Sequence, residues 1–119
     1  MAKNVVKDKS FLFAIDIVNL CKELNDQKEY IISKQILRSG TAIGALVREA
    51  EQAESLKDFI HKFSIALKEA HETDYWLELL YKTKYITKEK FDEYYKKLDE
   101  LIRLITSIIK TSKTKLNTK

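Results

Sequence analysis

The sequence predicts an all-α protein, an antiparallel four-helix bundle running up-down-up-down, and three observations carry that expectation. The 119 residues contain no proline and two glycines, Gly40 and Gly44, whereas strands joined by tight turns draw heavily on both residue types. Apolar residues recur at spacings of three and four through four separate segments, as they do in helices that bury one face. The stretches between those segments are short, and short connections make successive helices antiparallel. A chain of this length forms one domain and buries a core without disulfides or metals. The expected division is a bundle over residues 1–109 and a basic, disordered C-terminal tail over 110–119.

The first helix is expected over residues 9–25, where Phe13, Ile17, Leu20 and Leu24 form a core stripe. Phe11, Ala14, Ile15, Val18 and Cys21 add a second apolar line, wider than one bundle seam requires. The second helix starts near Ser33 as N-cap and places Ile36, Gly40, Ile43, Val47 and Ala50 in the same rhythm. A mid-helix glycine costs about 1 kcal/mol relative to alanine, so Gly40 and Gly44 are expected where two helices approach closely. Ser55 opens the third helix, with Asp58 three residues on as the acidic half of a capping box. Its seam runs through Leu56, Phe59, Phe63, Ala66, Ala70, Thr73, Leu77 and Leu80 to about Lys82. Off that seam lie Ile65, Tyr75 and Leu79, with Lys68 and Glu72 between them. After a loop at 83–86, Thr87 caps a fourth helix whose seam is Phe91, Tyr95, Leu98, Ile102, Ile105 and Ile109. The surplus apolar lines on the first and third helices predict self-association, with Ile65, Tyr75 and Leu79 as interface candidates.

Composition narrows the function classes. Cys21 stands alone in an apolar run, which suits a small buried hydrophobe in a reducing compartment better than a nucleophile. The near-apolar stretch 11–18 is broken by Asp16 and is too short to span a bilayer, and no cleavage site of small residues follows it. The expected location is therefore the cytosol, with no membrane partner. The formal net charge is +4, but the tail holds Lys110, Lys113, Lys115 and Lys119 and no acid, which leaves 18 basic residues to face 18 acidic ones elsewhere. The bundle itself is expected to be neutral.

No chemistry-bearing constellation emerges. A di-iron site needs two Glu-x-x-His pairs facing inward; here the histidines are His61 and His71, with Asp58 and Lys68 three residues before them, both on the outward half of the third helix. No serine sits in a nucleophile elbow and no glycine loop cradles phosphate. The expectation is a protein that is not an enzyme, with no cofactor, no metal and no small-molecule substrate. A polar network or subunit contact is expected instead, with Arg48 and Glu49 of the second helix near Glu69, Glu72, Thr73 and Trp76 of the third, because Glu69 with Thr73 and Glu72 with Trp76 are four apart.

At these residues a family resemblance enters. Residues 37–45, Leu-Arg-Ser-Gly-Thr-Ala-Ile-Gly-Ala, with Glu49 and Ala50, resemble the second-helix signature of the bacterial four helix bundle proteins; Asp58-Phe59, 65–70 and 72–77 resemble the third-helix signature. That family includes the proteins encoded by intervening sequences of large-subunit ribosomal RNA genes, and the similarity spans nearly the whole chain. One departure is Leu46, where members often carry asparagine, and small residues are usual near Arg48. The resemblance implies the same bundle, ring-shaped homopentamers and an association with ribosomal RNA; a related accessory protein of retroelements implies RNA and a reverse transcriptase as partners. Two readings follow. The first is a non-catalytic oligomer associated with RNA, contacting it through Arg38, Lys62, Arg103, Lys110, Lys113 and Lys115. Since three of the 22 basic residues are arginine, such binding is expected to be salt-sensitive and weakly sequence-specific. The second is a scaffold that holds a protein partner and touches no nucleic acid.

Overall fold

A computed structural model describes residues 2–118, with side chains from 5 to 118. Four helices account for nearly all of them: α1 (Ala2–Asp26), α2 (Ile31–Ala50), α3 (Leu56–Lys82) and α4 (Lys88–Asn117). Each helix packs on its chain neighbours and α4 closes against α1, while the backbones of the diagonal pairs stay apart. The result is an up-down-up-down bundle, 53 Å long and about 20 Å across, as the short connections require.

The predicted stripes of α1 and α2 are the observed ones. Phe13, Ile17, Leu20, Leu24, Ile36, Ile43 and Val47 are all buried. Both glycines lie where α2 crosses α1: a methyl group on Gly40 would sit 2.8 Å from Ile17 Cγ1, and one on Gly44 would sit 3.2 Å from the Ser10 carbonyl oxygen. The close approach inferred from their mid-helix cost is thus of two kinds, against the Ile17 side chain at Gly40 and against the Ser10 backbone at Gly44. α3 also keeps its expected inner face, from Phe63 and Ala66 through Thr73 and Leu77 to Leu80.

Three expectations need correction. α2 begins at Ile31 with Tyr30 in the cap position, and its side chain makes no capping bond. The cap is instead supplied by buried Glu29, whose carboxylate accepts the Ser33 amide proton at 2.8 Å. Ser33 is a buried first-turn residue that donates its hydroxyl to Asn25 at 3.2 Å. On α4 the seam is Tyr94, Leu98, Leu101 and Ile105, so Tyr95 and Ile102 sit one residue off the core; adjacent apolar pairs made both phases legible in the spacing. Finally, α4 continues to Asn117, so residues 110–117, expected to be disordered, extend the helix. The inward position after Ile105 and Ile108 falls on Ser112, which is 7% exposed; a serine there breaks the apolar pattern without breaking the helix. Lys119 lies outside the described residues.

The two hairpin turns at one end of the bundle share a design. Lys28 and Lys84 have φ of 64° and 70°, and in each case the following amide reaches back to a carbonyl in the last turn, Glu29 to Leu24 and Tyr85 to Leu80, both at 2.9 Å. These are Schellman caps with lysine at the left-handed position that usually holds glycine. At the opposite end Ser55 accepts the Asp58 amide proton at 3.0 Å, and Asp58 accepts that of Glu54 at 3.3 Å, which is the predicted reciprocal cap moved back by one residue. Thr87 caps α4 through the Lys90 amide at 3.1 Å.

Candidate functional site

The turn over residues 51–55 makes α2 and α3 antiparallel, so residues progressively further before it meet residues progressively further after it. Glu49 therefore meets Lys62 at 3.4 Å, and Ser39 meets Thr73 with hydroxyls 2.9 Å apart. The same register brings Arg38 to Glu69 at 3.2 Å and to Glu72 through its second guanidinium nitrogen. Glu72 also accepts the Trp76 indole proton at 3.0 Å, and Thr73 donates to the Glu69 carbonyl at 2.8 Å.

The expected network of Glu69, Glu72, Thr73 and Trp76 is thus assembled, but its arginine is Arg38. Arg48 lies about three turns away along α2 and stacks instead over the Phe11 ring at 4.7 Å, while Glu49 pairs with Lys62. The signal that would have separated the two arginines was the turn position: a turn at 51–55 puts Arg48 opposite the start of α3 and Arg38 opposite its middle. A guanidinium between two carboxylates forms a fixed fork, and it locks the α2–α3 register at its outer edge.

That geometry reduces the cations available to an anionic partner. Arg38 and Lys62 are engaged as described, and Arg103 donates to Asp99 at 2.9 Å within its own helix. Lys110, Lys113 and Lys115 are exposed, and none of them forms an ion pair among the described residues. The structure divides the six candidate contacts into three that are neutralised and three that are free, and the free ones all lie on the last turns of α4.

The interface candidates divide similarly. Ile65 and Leu79 are half-buried, while Tyr75 is 60% exposed and meets Trp76 edge-on at 4.9 Å between centroids. More exposed apolar area lies on α1, where Phe11, Leu12, Ile15 and Val18 all face outward; Phe11, Ile15 and Val18 belong to the second apolar line seen in the sequence, whose Ala14 is half-buried and Cys21 buried, and Leu12 joins them. Burial raises the Cys21 thiol pKa, and its Sγ donates to the Ser33 carbonyl at 3.4 Å, an environment that disfavours a reactive thiolate. His61 and His71 are exposed. Among the described residues no three His, Cys, Asp or Glu side chains cluster as metal ligands do, and no helix is long and apolar enough to cross a membrane.

With fold and surfaces in place, the comparison with known proteins is decisive for kinship. The family model described as 23S rRNA-intervening sequence protein matches residues 2–107. The chain belongs to that family. A solved structure described as a protein of unknown function from the S23 ribosomal protein family, from Bacteroides thetaiotaomicron VPI-5482, is 61% identical; the match covers 92% of this chain and 99% of that one, with a TM-score of 0.91. No curated protein matches the chain. Membership in the 23S rRNA-intervening sequence protein family thus accounts for all of α1, α2 and α3 and for α4 as far as Ser107; the lysine-bearing turns lie beyond it.

Proposed function

We propose that this chain is a non-catalytic, self-associating bundle protein of the cytosol that binds RNA. The observation that carries the reading is the family match over residues 2–107, whose description ties its members to 23S rRNA. The cluster of Lys110, Lys113 and Lys115 on an ordered helix supports it, since unpaired lysines neutralise phosphates and release counterions. Self-association, as the homopentamer that the resemblance implies, is supported by the outward row of Phe11, Leu12, Ile15 and Val18, because monomers rarely expose contiguous apolar surface of that kind. Repeated subunits would multiply weak lysine contacts, which a near-neutral body needs.

A salt-dependent titration of structured RNA and of duplex DNA tests this, comparing the natural chain with a variant carrying Lys110→Gln, Lys113→Gln and Lys115→Gln. Substitution is preferable to truncation because Ser112 is packed against the bundle. RNA binding that weakens steeply with salt is expected, and the triple variant should lower the slope of log K against log salt by about two to three units. No RNA binding, or a slope unchanged by the variant, overturns the reading. The second reading, a scaffold for a protein partner, is favoured by the ion pairs that neutralise Arg38, Lys62 and Arg103; it predicts a complex that survives nuclease and moderate salt.

A further inference from the structure

Where the last turns of α4 pass the α2–α3 turn, they leave an open groove of about 500 Å³, within the roughly 300–1,000 Å³ of small-ligand sites. Its floor is apolar, made of Ala50, Ala53, Leu56, Phe59 and Ile108, and its α4 wall carries the hydroxyls of Ser107, Thr111 and Ser112. Ser112 is the informative residue. It is 7% exposed, yet its hydroxyl makes no hydrogen bond among the described residues, whereas Thr114 in the same helix bonds back to the Lys110 carbonyl at 3.0 Å. No fully enclosed side-chain oxygen or nitrogen lacks a partner among the described residues, so this hydroxyl is reached from the groove and is available to whatever enters.

Two features at the rim select negative charge. Lys115 lines the groove without an ion-pair partner among the described residues. Ser55 and Leu56, at the amino end of the 27-residue α3, line it as well; the amides of Leu56 and Lys57 have no carbonyl four residues back within the helix, and a helix amino end carries partial positive charge. Acids limit that charge: Glu51 also lines the groove but is held by Lys7 at 3.1 Å, Asp58 accepts the Glu54 amide, and the Glu54 side chain is exposed.

We infer that this groove receives one unpaired nucleotide of a bound RNA, with the base on the apolar floor and its phosphate between Lys115 and the amino end of α3. The inference rests on the RNA reading above and specifies which part of an RNA the protein holds. A hydrocarbon body would leave the Ser112 hydroxyl unpaired, whereas the edge of a base offers donors and acceptors to all three hydroxyls. One lysine and one helix terminus beside several carboxylates suit a single phosphate and repel a polyphosphate. A base within a duplex is stacked and paired, so the occupant is unpaired. Apart from Ile108, the floor and the α3 end of the groove lie within the family match, and Thr111, Ser112 and Lys115 of its α4 wall lie beyond it.

The test uses the full chain with AMP, adenosine and ribose 5-phosphate as probes, followed by amide NMR, together with an RNA hairpin that has an unpaired loop and a fully paired duplex of the same stem. AMP should shift the amides of Leu56, Lys57, Thr111 and Ser112. Lys115→Gln should weaken AMP about three- to fivefold, as for one exposed charge contact, and leave adenosine unchanged. Ser112→Leu fills the groove and should abolish both the shifts and any preference for the hairpin over the duplex; unchanged helical circular dichroism identifies it as folded, and Lys115→Gln, on an exposed position, serves independently. RNA binding that persists with no AMP shifts in the groove overturns the inference alone. Absence of both RNA and AMP binding overturns the RNA reading with it. Shifts by AMP without any preference for the unpaired loop would assign the groove to free nucleotides and overturn the RNA occupant.

Discussion

Along α1 and α2 the helices close tightly at Gly40, against the Ile17 side chain, and at Gly44, against the Ser10 backbone, whereas long side chains bridge the outer edge of the α1–α4 seam. Lys97 donates to Asp16 at 2.8 Å, Lys9 meets Glu100 at 2.8 Å and Lys90 meets Glu23 at 3.2 Å. Between them Tyr94 donates its hydroxyl to the Asp16 carbonyl at 3.0 Å. A groove of about 350 Å³, with Leu12 and Ile15 on one side and Glu100 on the other, remains open in this seam. Beyond the shared apolar core, one side of α1 is therefore set by steric fit and the other by ion pairs and a single phenol. Close packing tolerates no added volume, while exposed ion pairs are individually weak, so equal-sized changes on the two sides should have unequal effects.

Gly40→Val tests the steric side and should have the largest effect. Its first carbon would already sit 2.8 Å from fully buried Ile17, and overpacking of this kind costs about 3 kcal/mol, read as a lower denaturant midpoint. A companion Ile17→Ala in the same background should recover part of that loss, whereas simple loss of helix propensity would leave the two changes additive. If Gly40→Val costs no more than the changes on the α4 side, the contrast fails.

Next in size is Tyr94→Phe, which should cost about 1 kcal/mol for the lost hydrogen bond and also change the alkaline limb of stability. Burial, and then the charge of Asp16, raise the Tyr94 pKa above its ordinary value; the hydrogen bond to Asp16 raises that of Lys97. For both groups the folded state holds its proton more tightly than the unfolded chain. Their contribution is complete below the unfolded values, about 10 for both residue types, and is lost as pH rises through the folded ones. Thermal melts at increasing pH should show that decline in the natural chain and a shallower one in Tyr94→Phe. The smallest effect is expected for Lys97→Met, under about 0.5 kcal/mol for a half-exposed pair, and it should vanish at high salt; a larger, salt-insensitive loss would mean that the charged seam carries more of the fold than its exposure implies.

These seams were not equally legible in the sequence. Glycines in the middle of a helix have few explanations besides close approach, and they mark the face of α2 that meets α1; on α1 the three-four spacing of Phe13, Ile17, Leu20 and Leu24 made the core stripe legible beside a second apolar line, although the start of α1 at Ala2 and the Glu29 cap of α2 were not legible. On α4, Tyr94 and Tyr95, then Leu101 and Ile102, offer two parallel stripes, and only packing against α1 and α3 decides between them. Charge gave still less: +4 at the level of composition says nothing about which cations are paired. Arg38, Lys62 and Arg103 lose their availability to carboxylates that are distant in the sequence or one turn away. The segment after Ile109 was misread because lysine, threonine and serine suggest a solvated tail, although Ser112 falls on the inward phase and Leu116 is half-buried one turn later. The groove it forms has no sequence motif at all; it arises from a helix that outlasts the turn beside it.

The Asp16–Lys97 bridge joins residues 81 positions apart, while the three pairs of successive helices are each closed by a turn of a few residues. In kinetic terms the bundle consists of helical hairpins that can form locally and one seam whose loop-closure entropy must be met in full. That seam should be the last to form and the first to open: Lys97→Met and Tyr94→Phe would then accelerate unfolding and leave the folding rate nearly unchanged, whereas Gly40→Val would slow folding itself. Stopped-flow rates for the three variants would separate these cases, and the edge of the molecule that opens first would be the one between α1 and α4, along the apolar row of Phe11, Leu12, Ile15 and Val18.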